Sequence, residues 1–193
     1  MNIIGYVETE MNSFKARPFC AVDSLVLAQM AYVRFESLVP GLSRWSRPAR
    51  FADLLRAEHF GTMLCGHNAA NNRALLFALA ASPRFRETRI NYCVSKTDVK
   101  LEQQFSAVTF RLDDGSAYIA FRGTDSTFVG WKEDFNMAYI APVPSQTEAA
   151  AYLSSVAALL PRSVRLRVGG HSKGGNLATY AAMKCKPAVQ HRL

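Results

Sequence analysis

Val168-Gly169-Gly170-His171-Ser172-Lys173-Gly174-Gly175-Asn176 separates two stretches of different periodicity. Before it, Val164, Leu166 and Val168 alternate with Arg165 and Arg167, which predicts a strand. After it, the alanine-rich run from Lys173 to Cys185 predicts a helix. Between them Gly170, Ser172 and Gly174 form a Gly-x-Ser-x-Gly pattern. A strand-to-helix reversal this short strains the backbone at the serine, so the residues two positions away on either side must be small. Gly170 and Gly174 meet that need, and Gly175 and Ala178 let the helix lie close to a sheet. The turn lifts Ser172 Oγ off the strand end. It also aims the Lys173 backbone N–H, with the positive end of the helix dipole, at any oxyanion formed there. Ser172 is the candidate nucleophile, and the Lys173 side chain is expected to face solvent. A plain glycine turn and a phosphate loop compete for the same residues. The phosphate loop fits poorly, because its lysine follows a glycine and precedes Ser or Thr, whereas Lys173 precedes a glycine.

Working upstream, Ser145-Gln146-Thr147-Glu148 has capping-box form and opens a helix through Tyr152, Leu153, Val156 and Leu159-Leu160 to Pro161. Arg122 to about Ser145 is expected to be loop. Phe105 to Leu112 and Tyr118 to Phe121 flank the turn Asp113-Asp114-Gly115, which predicts a β-hairpin. Ala117 to Phe121 is apolar on both faces, as in a strand covered from both sides. Arg89 to Ser95 predicts a further strand. In the first part of the chain, Asp23 is placed to cap a helix over Ser24 to Leu38 that ends at Pro40-Gly41. A short helix is expected over Phe51 to Phe60, and another over Asn71 to Ala81, closed by Pro83. This order predicts an α/β fold: one domain over residues 1–193, with a helical N-terminal cap region (1–85) and a mixed sheet (86–193) carrying the turn.

A second cluster is Ala120-Phe121-Arg122-Gly123-Thr124-Asp125. A strand that ends in Gly-Thr supplies an oxyanion donor from the Thr124 N–H, with its hydroxyl as a further donor. The competing view is a strand-end turn in which Arg122 pairs with a carboxylate.

Phe121-Arg122-Gly123-Thr124, Trp131, Asp134-Phe135 and the run from Gly170 to Ala178, in that order, resemble the lipase class 3 branch of the α/β-hydrolases. The similarity is greatest to a bacterial family of lipase-like proteins called Mbeg-like, classed as a domain of unknown function. It covers roughly Ala21 to the C-terminus and is densest from Gln104 to Pro187. The resemblance implies an α/β-hydrolase sheet, Ser172 as nucleophile and an oxyanion hole of the Thr124 and Lys173 N–H groups. It also implies that Trp131 and Asp134 brace the oxyanion loop; plain packing and a loop hydrogen bond are the alternative for them. The activity implied is serine hydrolysis of a carboxylic ester, a small molecule or a lipid. In such enzymes an acid and then a histidine follow the serine. Here 21 residues follow Ser172, none acidic, and their one histidine is His191. His171 is expected to point away from the serine, and His59 and His67 to be helix-end and loop residues. The chain is therefore expected to be a hydrolase fold truncated after the nucleophile helix, inactive by itself. The alternative is a non-catalytic remnant that binds acyl groups or a partner.

Composition bounds the rest. The net charge is +8, but seven basic residues (Arg162, Arg165, Arg167, Lys173, Lys184, Lys186 and Arg192) follow Ala149 without an acidic one. They are scattered over a helix end, a strand and the turn, and lack the stripe or interleaved aromatics of a nucleic-acid site. A solvated face, or one lacking its acidic counterpart, is expected, and no nucleic acid. The N-terminus shows no signal peptide, and the apolar stretch Ala74 to Ala81 is too short for a span. Cys20, Cys65, Cys93 and Cys185 have no metal-ligand spacing and are expected to be reduced, in a cytoplasmic protein. No metal or cofactor is expected, and nothing specific supports membrane contact. A sheet ending at Val168 would expose an edge suited to self-association.

Overall fold

The computed structural model describes residues 2–43, 47–66 and 68–193. Among them, five strands form one mixed sheet in the order β1 (Ala49–Arg50), β2 (Arg89–Asp98), β3 (Gln103–Arg111), β4 (Ala117–Phe121) and β5 (Leu166–Gly170). The first three pairings are antiparallel. β4 and β5 are parallel, with Phe121 opposite Gly170. A parallel pair needs a long crossover, and α5 (Phe128–Asn136) and α6 (Pro144–Leu159) lie within it.

Alternation along the hairpin assigns the two faces. Val108, Phe110, Tyr118 and Ala120 join one buried cluster with α1 (Ile3–Thr9), α2 (Ala21–Met30) and α4 (Ala69–Ala81). Phe105, Ala107, Ile119 and Phe121 join the other with α6 and α7 (Lys173–Lys184). Period two in a strand sends neighbours to opposite faces, so a strand apolar at every position is a strand between two helical layers. The N-terminal helices are therefore one layer of the sandwich, not a cap above it. The hairpin turn has Gly115 at φ 84°, as its position requires.

Several boundaries differ from expectation. The helix placed at Ser24 to Leu38 spans Ala21–Met30, and Asp23 sits in its first turn. There its carboxylate accepts the Cys20 N–H at 2.8 Å and pairs with Arg84 at 2.7 Å. Phe51 to Phe60 is not one helix. It is two single-turn 3₁₀ segments, Phe51–Asp53 and Ala57–His59, before the short α3 (Phe60–Met63). α6 begins at Pro144, and Gln146 rather than Glu148 reaches back, accepting the Val143 N–H at 3.0 Å. Proline suits that first position because its missing N–H would be unsatisfied there anyway. The segment expected to be loop contains α5, capped by Thr127, whose hydroxyl accepts the Gly130 N–H at 3.1 Å. Its Phe128, Trp131 and Phe135 face outward and are mostly exposed, so its apolar residues do not trace a core-facing stripe. α8 (Pro187–Gln190) closes the chain. Among the described residues, no helix is long and apolar enough to cross a membrane.

Candidate active site

β5 ends at Gly170 and α7 begins at Lys173, so His171 and Ser172 alone make the reversal. Ser172 has φ 57° and ψ −128°, a region that non-glycine residues rarely occupy. The glycines beside it are sterically required. A Cβ on Gly174 would overlap the Phe121 carbonyl oxygen, and one on Gly170 would come within 2.5 Å of that same oxygen. Parallel pairing brings the ends of β4 and β5 together, so the Arg122–Thr124 loop and the Ser172 turn leave the sheet side by side. They touch at Gly123, where an added Cβ would lie 2.5 Å from the His171 carbonyl oxygen.

Above this corner opens a cavity of about 450 Å³ lined by Ser172, Thr124, Trp131 and Asp134, with Tyr32, Arg34, Arg122 and His171. The side chains singled out in the sequence thus share one cavity, apart from that of Lys173. Ser172 is exposed. Thr124 Oγ1 is buried and has no hydrogen-bond partner among the described residues. The Lys173 N–H is the first of α7 and has no acceptor within the helix. Arg122 is buried, with Nη2 3.4 Å from Ser95 Oγ and 4.0 Å from the Asp125 carboxylate. Burial pulls its pKa below the ordinary arginine value, a loss that Asp125 only partly offsets. Burial also raises the Tyr32 phenol, which lies 3.4 Å from His171 Nδ1.

His171 lines the cavity beside Ser172, whereas His59 and His191 do not. His191 follows α8, beside Arg192, whose carbonyl accepts the Leu166 N–H at the far end of β5. That is roughly 15 Å from the turn at the usual rise per strand residue. His59 closes a 3₁₀ turn. His67 lies outside the described residues. Among the described residues no imidazole is hydrogen-bonded to Ser172 Oγ, and no group of His, Cys, Asp or Glu is placed to hold a metal ion.

The Lys173 side chain does not face solvent: it is fully buried beneath the turn. Its ammonium donates to Gln104 O at 2.7 Å, to Gln104 Oε1 at 2.9 Å and to Glu133 Oε2 at 3.0 Å. Burial lowers its pKa from the ordinary lysine value, and the Glu133 carboxylate opposes that loss. Glu133, on the inner face of α5, also accepts the Gln104 N–H at 2.9 Å, the Ser145 N–H at 2.9 Å and the Ser145 hydroxyl at 2.8 Å. A charge this deep needs such complete pairing, since an isolated one costs many kcal/mol to desolvate. Gln104 and Glu133 were not singled out in the sequence. The available signal was local: on a helix, the spacing of Phe128, Trp131 and Phe135 places Glu133 on the opposite side. Trp131 itself is 65% exposed and lines the cavity with Thr124 and Asp125. Two of the seven late basic residues find acids upstream, Lys173 with Glu133 and Arg167 with Asp114 at 3.5 Å.

These features define a mixed α/β protein with a strained serine at a strand-to-helix turn, opening into a cavity. The chain belongs to the Mbeg1-like family, whose model matches residues 79–193. No curated protein and no solved structure matches the chain.

Proposed function

We infer that the protein is a serine hydrolase of the lipase-like α/β-hydrolase type, acting on a carboxylic ester. The observation that carries this is the backbone of Ser172, φ 57° at a strand-to-helix reversal. A residue held in such a region costs on the order of 1–3 kcal/mol. A turn with only a structural task is served at lower cost by glycine. Ser172 Oγ attacks the ester carbonyl carbon, and the carbonyl electron pair moves onto oxygen. The Lys173 and Thr124 N–H groups, with the Thr124 hydroxyl, donate to that oxyanion. Collapse expels the alcohol, and water then releases the acid from the acyl-enzyme.

The buried Lys173 amine does not serve as base, because its three N–H bonds are given to Gln104 and Glu133. The Ser172 proton passes to a general base that returns it to the departing alcohol, and Tyr32, His171, Asp125 and Asp134 are titratable groups that line the cavity. Arg34, Arg122, Asp125 and Asp134 line the cavity beside Trp131 and Tyr32. That wall suits a short polar ester better than a long alkyl chain. A second reading, a non-catalytic acyl-binding module, is favoured by the absence, among the described residues, of an imidazole hydrogen-bonded to Ser172 Oγ.

Fluorophosphonate labelling followed by intact mass separates the two. The hydrolase reading expects a single adduct that Ser172→Ala abolishes, and faster turnover of p-nitrophenyl acetate than of the palmitate. An adduct that persists in Ser172→Ala rejects the nucleophile. Absence of any adduct, with a short-chain ester analogue still bound, supports the binding module.

A further inference from the structure

Gln104 Oε1 is shared. It accepts the Lys173 ammonium at 2.9 Å and the backbone N–H of Asp125 at 3.3 Å. One amide oxygen thus holds the residue after Ser172 and the residue after Thr124. The two donors fix the amide's orientation, since a flipped amide would turn its NH₂ toward both. Glu133 holds the opposite side by accepting from the Lys173 ammonium and the Gln104 N–H. The β4–β5 ladder ends at Phe121 and Gly170, so beyond that pair side chains help set the spacing of the two loops. Gly130 packs closely against the same network: a Cβ there would lie 2.9 Å from Asp125 Oδ1 and 3.1 Å from Gln104 Oε1.

We propose that Gln104, Glu133 and the Lys173 side chain are positioning residues that hold the Ser172 turn and the Thr124 loop in register through this shared oxygen. The proposal rests on the reading of those loops as the two halves of an oxyanion site. Donors on separate loops serve one oxyanion only if their spacing is held to about 0.5 Å. A merely structural Lys–Glu pair has no need of the Asp125 N–H. A coupling device predicts that a change under Ser172 is felt at Asp125, far away in sequence.

The test uses the intact protein with Gln104→Met, which removes the oxygen at similar volume, Gln104→Glu, which retains an acceptor, and Lys173→Met. Amide hydrogen exchange at Asp125 is expected to quicken about 10-fold in Gln104→Met and Lys173→Met, the loss of one net hydrogen bond. In Gln104→Glu it stays near the wild-type rate. Fluorophosphonate labelling of Gln104→Met is expected to lose roughly 10- to 100-fold in maximal rate, with half-saturation little changed, as for a misplaced catalytic group. Gln104→Glu restores most of that rate. Wild-type exchange at Asp125 in a folded Lys173→Met overturns the proposal. So does a Gln104→Met defect that lies in half-saturation, or one that Gln104→Glu shares. If Lys173→Met fails to fold, the Gln104 pair decides. If the wild type takes no label, the hydrolase reading fails, while the exchange measurements still decide whether the loops are coupled.

Discussion

Ser172 holds its φ of 57° without the freedom that glycine would bring, and that strain is separable from its chemistry. Ser172→Gly removes the Cβ conflict, offset in part by the greater flexibility of glycine in the unfolded chain. The net expectation is a gain of about 1 kcal/mol, read as a higher urea midpoint with unchanged slope, together with complete loss of fluorophosphonate labelling. A variant less stable than the wild type would show that the serine side chain contributes packing that outweighs its strain. Lys173 teaches the opposite lesson about reading residues singly. A lysine on a turn is normally exposed, and its sequence neighbours, glycine and serine, say nothing to the contrary. Its burial depends on Glu133, which lies on α5 in a stretch that read as loop. The strand-to-helix turn at Ser172 was legible because its constraints are local and steric. The pairing beneath it was not, because it is fixed by three separate elements, β3, α5 and α7.

At the scale of elements, α5 links the cavity to the buried network, and its first turn is held by the Thr127 cap. Thr127 accepts the Gly130 N–H, and its own N–H donates to Asp125 Oδ1 at 2.9 Å. Thr127→Ala removes the cap hydroxyl but keeps the backbone bond. It is expected to cost about 1 kcal/mol, seen as a lower thermal midpoint, and to quicken amide exchange across the first turn of α5. Unchanged exchange there would mean that tertiary packing, not the cap, holds the turn. The elements legible from sequence were those whose pattern matches their burial. The hairpin alternates between two cores, and α4, α6 and α7 keep apolar residues inward. α5 reverses that rule, with Phe128, Trp131 and Phe135 outside and Gly130 and Glu133 inside. α2 was misplaced for a related reason. Asp23 looks like a cap, and it does accept the Cys20 N–H, but from inside the helix.

Across the whole molecule, the N-terminal layer is tied together by one buried ion pair. Both side chains of Asp23 and Arg84 are fully buried. Asp23 also accepts the Tyr6 hydroxyl at 3.0 Å, while Arg84 donates to the carbonyls of Asn12, Arg17 and Pro18 and lies 4.0 Å from the Phe14 ring centroid. α1, the segment after it, α2 and the turn after α4 therefore meet at a single ion pair. Asp23→Asn leaves the guanidinium buried without its counter-charge and is expected to destabilise by about 3 kcal/mol at neutral pH. Burial by itself would raise the Asp23 pKa. The Arg84 guanidinium, the Cys20 N–H and the Tyr6 hydroxyl outweigh it and hold the carboxyl below its usual range. A carboxyl depressed in the folded state contributes its full stability above the unfolded-state pKa, about 4. That contribution is lost as pH falls through the folded-state value. The gap between wild type and Asp23→Asn in urea denaturation should therefore be widest near neutrality and narrow steadily in acid, because only the wild type has this charge to lose. A gap that stays constant down to about pH 2 would place the cost in the altered hydrogen-bond geometry and not in the carboxylate charge.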